Sequence, residues 1–151
     1  MITFNCPGPG DTANLAARLA PLLRPGDVVV LAGTLGSGKT LFASGIAAGL
    51  GVEEPVTSPS FVLVREYQSG FLPLVHADIF RVTTRNEFDD LDLVGQATGG
   101  VLLIEWGDVV EFDLPPDHLR IELEVQPDES RQVALVPYGS WTKRLPGELA
   151  R

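Results

Sequence analysis

The chain has 151 residues, 44% of them apolar and 21% charged, which suits one globular core and is too apolar for a disordered chain. Twenty acidic against 11 basic residues leave a formal charge of −9, so the chain repels a nucleic-acid backbone unless its few cations cluster along the sequence, and they do not. No apolar run approaches the roughly 20 residues of a membrane helix, the opening M-I-T-F-N-C-P lacks a signal-peptide pattern, and Cys6 stands alone, which excludes an intrachain disulfide or a cysteine zinc cluster. The expectation is a cytoplasmic protein with no membrane role.

Pro7 to Gly10 reads as a turn, and Asp11 or Thr12 can cap a helix to about Leu23, with Leu15, Leu19, Leu22 and Leu23 on one face. Pro25-Gly26-Asp27 turns the chain into Val28–Ala32, an apolar run that reads as a buried strand. Leu41 to Leu50 has helical composition, with Gly49 and Gly51 to end it. After the loop Glu53–Pro59, Phe61–Tyr67 and Leu72–Ala77 read as strands joined by Gln68-Ser69-Gly70, a hairpin. Thr84–Val94 is expected as a short acidic helix with Phe88, Leu91 and Val94 inward, broken by Gly99-Gly100. Val101–Trp106 is a second apolar strand, followed by a helical turn after Gly107. Leu119–Val125 and Gln132–Pro137 alternate and form a hairpin across P-D-E-S. The order predicts an α/β, three-layer domain of the P-loop NTPase kind over residues 1–137, with a mixed sheet, antiparallel hairpins and a central pair Val28–Ala32 and Val101–Ile104. Residues 138–151 read as a loose tail, within which Trp141 is expected to tuck onto the body.

Four segments carry candidate chemistry. Between the first core strand and its helix, Gly33-Thr34-Leu35-Gly36-Ser37-Gly38-Lys39-Thr40 matches G-x-x-x-x-G-K-[ST], the phosphate-binding loop. Its glycines let backbone N–H groups approach a ligand, and the following helix adds its positive end. Gly36, Ser37, Gly38, Lys39, Thr40 and Leu41 are the expected nucleotide contacts, with Lys39 neutralising phosphate charge and the Thr40 hydroxyl ligating magnesium. Val101-Leu102-Leu103-Ile104-Glu105-Trp106 is a Walker-B-like run whose acid, Glu105, would meet magnesium. In His76-Ala77-Asp78-Ile79-Phe80-Arg81, His76 and Asp78 share a strand face; Asp78 would orient water or hold magnesium, or the group is a solvated strand end with a local salt bridge. Thr57-Ser58-Pro59-Ser60 stands where a switch loop senses a γ-phosphate, or is an ordinary loop before a strand.

Together these segments resemble the bacterial TsaE family, small P-loop ATPases of tRNA threonylcarbamoyladenosine biosynthesis. The resemblance covers about Asp11 to Val125 and rests on G-T-L-G-S-G-K-T, T-S-P-S-F-V-L-V-R-E-Y, H-A-D-I-F-R and L-L-I-E-W, in that order. It implies binding of ATP and magnesium, slow hydrolysis, and partnership with TsaD and TsaB, with tRNA met only through that complex. It also implies Lys39, Asp78 and Glu105 as catalytic residues, Thr40 and Glu105 as metal ligands, and Thr12 near the nucleotide base. Four positions depart from the pattern: Thr34 stands where the family has aspartate, Ala77 where it has an aromatic residue, Ser60 for threonine and Phe80 for tyrosine. A small-metabolite or nucleotide kinase and a non-hydrolytic ATP-sensing adaptor are the other readings. The kinase is disfavoured because Arg81 and Arg85 are the only arginines between Arg81 and Leu114.

Overall fold

The computed structural model describes residues 1–59, 64–82 and 84–145. Seven strands form one mixed sheet: β1 Ile2–Cys6, β2 Val28–Ala32, β3 Val64–Tyr67, β4 Leu74–Asp78, β5 Val101–Glu105, β6 Leu119–Val125 and β7 Arg131–Pro137. Their order is β1-β7-β6-β2-β5-β4-β3. β2 lies between β5 and β6 and is parallel to both, and β4 runs parallel to β5; the β3–β4, β6–β7 and β1–β7 pairs are antiparallel. The α-helices among the described residues are α1 Pro9–Leu19, α2 Lys39–Gly49, α3 Arg85–Leu91, α4 Leu93–Gln96 and α5 Trp141–Arg144.

The two apolar runs behave as buried strands do, feeding alternate residues to opposite faces. Val29, Leu31, Val101 and Leu103 join a core with Leu15, Leu19, Phe42 and Ile46 of α1 and α2. Val28, Val30, Leu102 and Ile104 join another with Phe88 of α3 and Leu93 of α4. Helices therefore cover both faces, as the order of elements predicted. Among the described residues no helix is long and apolar enough to cross a membrane.

α1 packs so closely on α2 that two glycines are needed at the contact. A Cβ on Gly45 would lie 2.6 Å from the Ala16 Cβ, and one on Gly49 2.5 Å from the Ala20 Cβ. Gly45→Leu is expected to destabilise the fold by about 1–3 kcal/mol or more. The loss should read as a lower urea midpoint at an unchanged slope.

Several expectations shift. β1 was not anticipated; Ile2, Phe4 and Cys6 turn onto the core of α1 and α2 and the strand closes the edge beside β7. Asp11 does not begin α1: Pro9 is its first residue, and the Asp11 carboxylate reaches back to accept from the Gly8 N–H at 2.9 Å. The helix also stops at Leu19 and continues as a single 3-10 turn, Ala20–Leu22. Thr84–Val94 is two helices, because Asp92 adopts a left-handed conformation (φ 46°) between them. That break rotates the apolar face, so Leu93 is buried and Val94 is 43% exposed. The chain from Tyr138 is not loose as far as Leu145: Trp141 is 1% exposed, and Arg144 donates to both Asp27 carboxylate oxygens at 2.8 Å. In the hairpin expected from Phe61, residues 61–63 lie outside the described residues, as does Ser60 of the proposed switch loop.

Candidate functional site

The parallel strands β2, β5 and β4 end together, and the loop Gly33–Gly38 leaves β2 to enter α2 above them. The carboxyl ends of parallel strands at a strand-to-helix turn are where open α/β sheets hold ligands. Two positions in this loop can only be glycine. A Cβ on Gly33 would lie 2.5 Å from the Ser37 Oγ and 2.6 Å from the Leu123 carbonyl oxygen. Gly38 caps α2 at φ 106°, a conformation costly for any other residue.

Lys39 opens α2. It is 5% exposed, because its stem runs back under the loop. Its Nζ donates to the Gly33 and Thr34 carbonyl oxygens at 2.7 and 2.8 Å and sits 3.9 Å from the centre of the Trp106 ring. Burial pushes its ammonium pKa down; Glu105, Asp78 and Asp108 oppose that with their negative field. Trp106 can reach it because the residue turns left-handed (φ 65°) where β5 ends, and the Phe80 ring lies 5.0 Å from its own, centre to centre. A bulky residue in that conformation is a local strain, which such sites often hold.

One residue further along α2, the Thr40 hydroxyl donates to Glu105 at 2.9 and 3.1 Å. Glu105 is 3% exposed, and its Oε2 also lies 2.5 Å from the Nε2 of the fully buried His76. An ionised carboxylate only accepts, so Nε2 carries the proton and donates. β4–β5 pairing sets Asp78 opposite Glu105, and Asp78 Oδ1 accepts from the Phe80 N–H at 2.9 Å. Neither His76 nor Asp78 is a solvated strand end: they are 0% and 4% exposed. Lys39, Thr40, Asp78, Glu105, Trp106 and the exposed Ser58 border one open cavity of about 250 Å³. Thr34, at the departure from the family pattern, lies on the exposed lip of the loop. Arg85, one of the two arginines counted against a kinase lid, is paired with Asp113 at 2.8 Å.

A second cavity, about 100 Å³, adjoins the first across Gly38 and Leu41. Thr12 and Ser37 border it, both buried; the Thr12 hydroxyl meets the Cys6 thiol, while the Ser37 hydroxyl has no hydrogen-bond partner among the described residues. A buried hydroxyl without a partner costs about 1–3 kcal/mol, a deficit that a polar ligand in the cavity would remove. Two residues with no predicted role, Glu129 and Arg131, form its far wall. They approach from the β6–β7 turn, 94 positions along the chain from Ser37, and no local sequence signal links them to the loop.

The donors match the chemistry of a polyphosphate and a hard cation. The loop offers backbone N–H groups, a helix start and an ammonium to the anion. Thr40, Glu105 and Asp78 offer oxygen to a cation of the magnesium type, which takes one or two carboxylates and completes its shell with water and phosphate. Among the described residues no group of three or more His, Cys, Asp or Glu side chains forms a dedicated metal cage.

The family model for threonylcarbamoyl adenosine biosynthesis protein TsaE matches residues 6–133. The chain belongs to the TsaE family. It is 39% identical over 144 residues to the Bacillus subtilis tRNA threonylcarbamoyladenosine biosynthesis protein TsaE, covering 95% of this chain and 90% of that one. The TsaE of Streptomyces coelicolor is 41% identical over 132 residues, with 83% and 89% covered. The crystal structure of Bacillus subtilis YdiB superposes with a TM-score of 0.82 at 32% identity, over 99% of this chain and 94% of that one. Of the residues singled out in the sequence, Thr12, Gly36, Ser37, Gly38, Lys39, Thr40, Leu41, Ser58, Asp78 and Glu105 line the two adjoining cavities, and Ser60 lies outside the described residues.

Proposed function

We propose that the chain is an ATP-binding, magnesium-dependent subunit that hydrolyses ATP slowly and works with TsaB and TsaD in the threonylcarbamoyladenosine modification of tRNA. In this reading hydrolysis resets the complex between cycles and does not supply the modifying group. The observation that carries it is the Thr40–Glu105 contact beside Lys39, which joins the end of the loop to the acid of the neighbouring strand.

The residues divide the work. The loop N–H groups and Lys39 hold the β- and γ-phosphates, with the nucleoside towards Thr12 and Leu41. Magnesium, when bound, neutralises charge on the phosphates and links them to the protein. Thr40 and Glu105 hold it, and His76 fixes the Glu105 carboxylate from below. Asp78, held by the Phe80 N–H, orients the attacking water. Trp106 shields Lys39 from solvent, which strengthens its field at the phosphate. Among the described residues no arginine borders the cavity at Lys39, which fits a slow enzyme, since a supplied arginine accelerates such reactions by about 10³–10⁵. The −9 charge fits a subunit that leaves tRNA to its partners.

The test is phosphate release by the chain alone and after addition of TsaB and TsaD, with sizing chromatography of the mixture. The rate is expected to rise and the three proteins to co-elute in the presence of ATP. An unchanged rate with no co-elution overturns the reading. Phosphoryl transfer to a small acceptor, faster than hydrolysis, would replace it with a kinase.

A further inference from the structure

Arg131 opens β7, directly after the turn that joins it to β6. That turn is tightly built. The Glu129 N–H donates to the Gln126 carbonyl at 2.9 Å, Glu129 is left-handed at φ 69°, and Ser130 donates to Asp128 Oδ1 through its N–H and its hydroxyl. These two donors hold the Asp128 carboxyl below the usual carboxylate range. From this base the guanidinium reaches across the sheet edge to the loop. Its Nε donates to the Ser37 carbonyl oxygen at 3.0 Å and its Nη2 to the Gly36 carbonyl oxygen at 3.3 Å, while Nη1 returns to the Glu129 carbonyl oxygen at 2.6 Å.

Two cations therefore hold four carbonyls of one short loop. Lys39 takes those of Gly33 and Thr34, and Arg131 those of Gly36 and Ser37. The consequence follows from the planar trans peptide, in which the C=O and the next N–H point in opposite directions. Drawing the Ser37 carbonyl to Arg131 aims the Gly38 N–H away from it, towards the start of α2. Drawing the Gly36 carbonyl the same way turns the Ser37 N–H inward, where it donates to the Thr34 carbonyl at 3.1 Å and closes the loop on itself. An anion cradle works only when its amides are already oriented, because orienting them at binding costs conformational entropy.

We propose that Arg131 is a positioning residue for the phosphate-binding loop: it fixes the Gly36 and Ser37 peptides, so that the Ser37 N–H closes the loop and the Gly38 N–H is preorganised to receive the anion. The inference rests on the nucleotide-binding reading of that loop. Arg131 touches protein carbonyls and leaves charge neutralisation to Lys39. The fork of the guanidinium matters here, since one planar group serves two adjacent carbonyls and its own turn, which a point ammonium cannot do.

The test compares R131M and R131K with the wild-type full-length chain, titrating ADP and ATP by calorimetry in the presence of magnesium and recording the apo melting temperature. For R131M the dissociation constants for ADP and ATP are expected to rise together, by about 10-fold, the size of one or two net hydrogen bonds. R131K is expected to fall between, at about 3-fold. The apo melting temperature is expected to stay within about 4 °C of wild type. ADP affinity within twofold of wild type in R131M overturns the inference, as does a lowered melting temperature with ADP affinity retained below it. A loss confined to ATP also overturns it, because that pattern belongs to a direct γ-phosphate contact. If R131M melts below the titration temperature, R131K decides by the same criteria. Failure of the wild-type chain to bind ADP overturns the nucleotide reading itself, and is distinguished by that control.

Discussion

Lys39→Ala is expected to abolish measurable ATP hydrolysis and to raise the dissociation constant for ATP by about 30-fold, with a smaller rise for ADP. The magnitude follows from a charge-assisted hydrogen bond to phosphate, worth about 2 kcal/mol, at about 1.4 kcal/mol per decade. The ordering follows from charge: ATP carries one more phosphate near the ammonium than ADP. The fold should survive, though not without cost. In the wild type the ammonium satisfies two carbonyls and lies on the Trp106 ring, and a cation–π contact is worth about 0.5–2 kcal/mol. Thr34 is exposed, so water can take over at its carbonyl, and the stability loss should stay near 1 kcal/mol. Calorimetric titration with both nucleotides and a urea melt check the two halves separately. Equal affinity for ATP in wild type and variant would remove Lys39 from the phosphate site.

Lys39→Met separates the two jobs further. Methionine keeps an apolar stem beneath the loop and cannot neutralise a phosphate. Phosphate-dependent affinity should fall as in Lys39→Ala, with most of the stability retained. A drop in stability equal to that of Lys39→Ala would mean that the two carbonyl bonds, and not the packed stem, hold the loop in the free protein.

What the sequence made legible was local. The loop could be read because its glycines, lysine and threonine lie within eight residues and each has a distinct physical task. Glu105 could be read because an apolar run ending in an acid marks a buried strand reaching a sheet edge. The contact of Glu105 with His76 could not, since it spans 29 positions and exists only because β4 pairs in parallel with β5. For the same reason the alternation of residues 74–78 suggested a strand face without saying whether it met solvent or a site. Arg131 was further out of reach: it depends on β6 lying parallel to β2, which carries the β6–β7 turn to the loop. Reading those strands only as a hairpin gave their pairing with each other and nothing of their neighbour. β1 was different: Ile2, Phe4 and Cys6 do alternate, but a period of two over only five residues, ended by the Pro7–Gly10 turn, is a short signal. Trp141 was correctly expected to tuck in, but the Arg144–Asp27 pair that anchors its helix joins positions 117 apart.

Glu105→Gln is expected to lower hydrolysis by about 100-fold and to leave nucleotide affinity without magnesium unchanged. The choice of glutamine matters. Glu105→Ala would leave the fully buried His76 and the Thr40 hydroxyl without their acceptor, and a buried donor left unsatisfied costs about 1–3 kcal/mol. A dead Glu105→Ala variant would therefore confuse an unfolded site with a lost ligand. Glutamine keeps the volume, its amide oxygen still accepts from Thr40, and its NH₂ can donate to His76 once the imidazole takes the other tautomer. What disappears is the negative charge and the metal-binding oxygen. The added affinity that magnesium confers on ATP should fall with it, by about 10–100-fold, the scale on which partners of a metal matter. Titrating magnesium at fixed ATP, with phosphate release followed in parallel, measures both effects. If hydrolysis and the magnesium profile match the wild type while the melting temperature is retained, Glu105 is a buried strand-end acid that only ties Thr40 to His76, and the cation must be held by Asp78 and the phosphates.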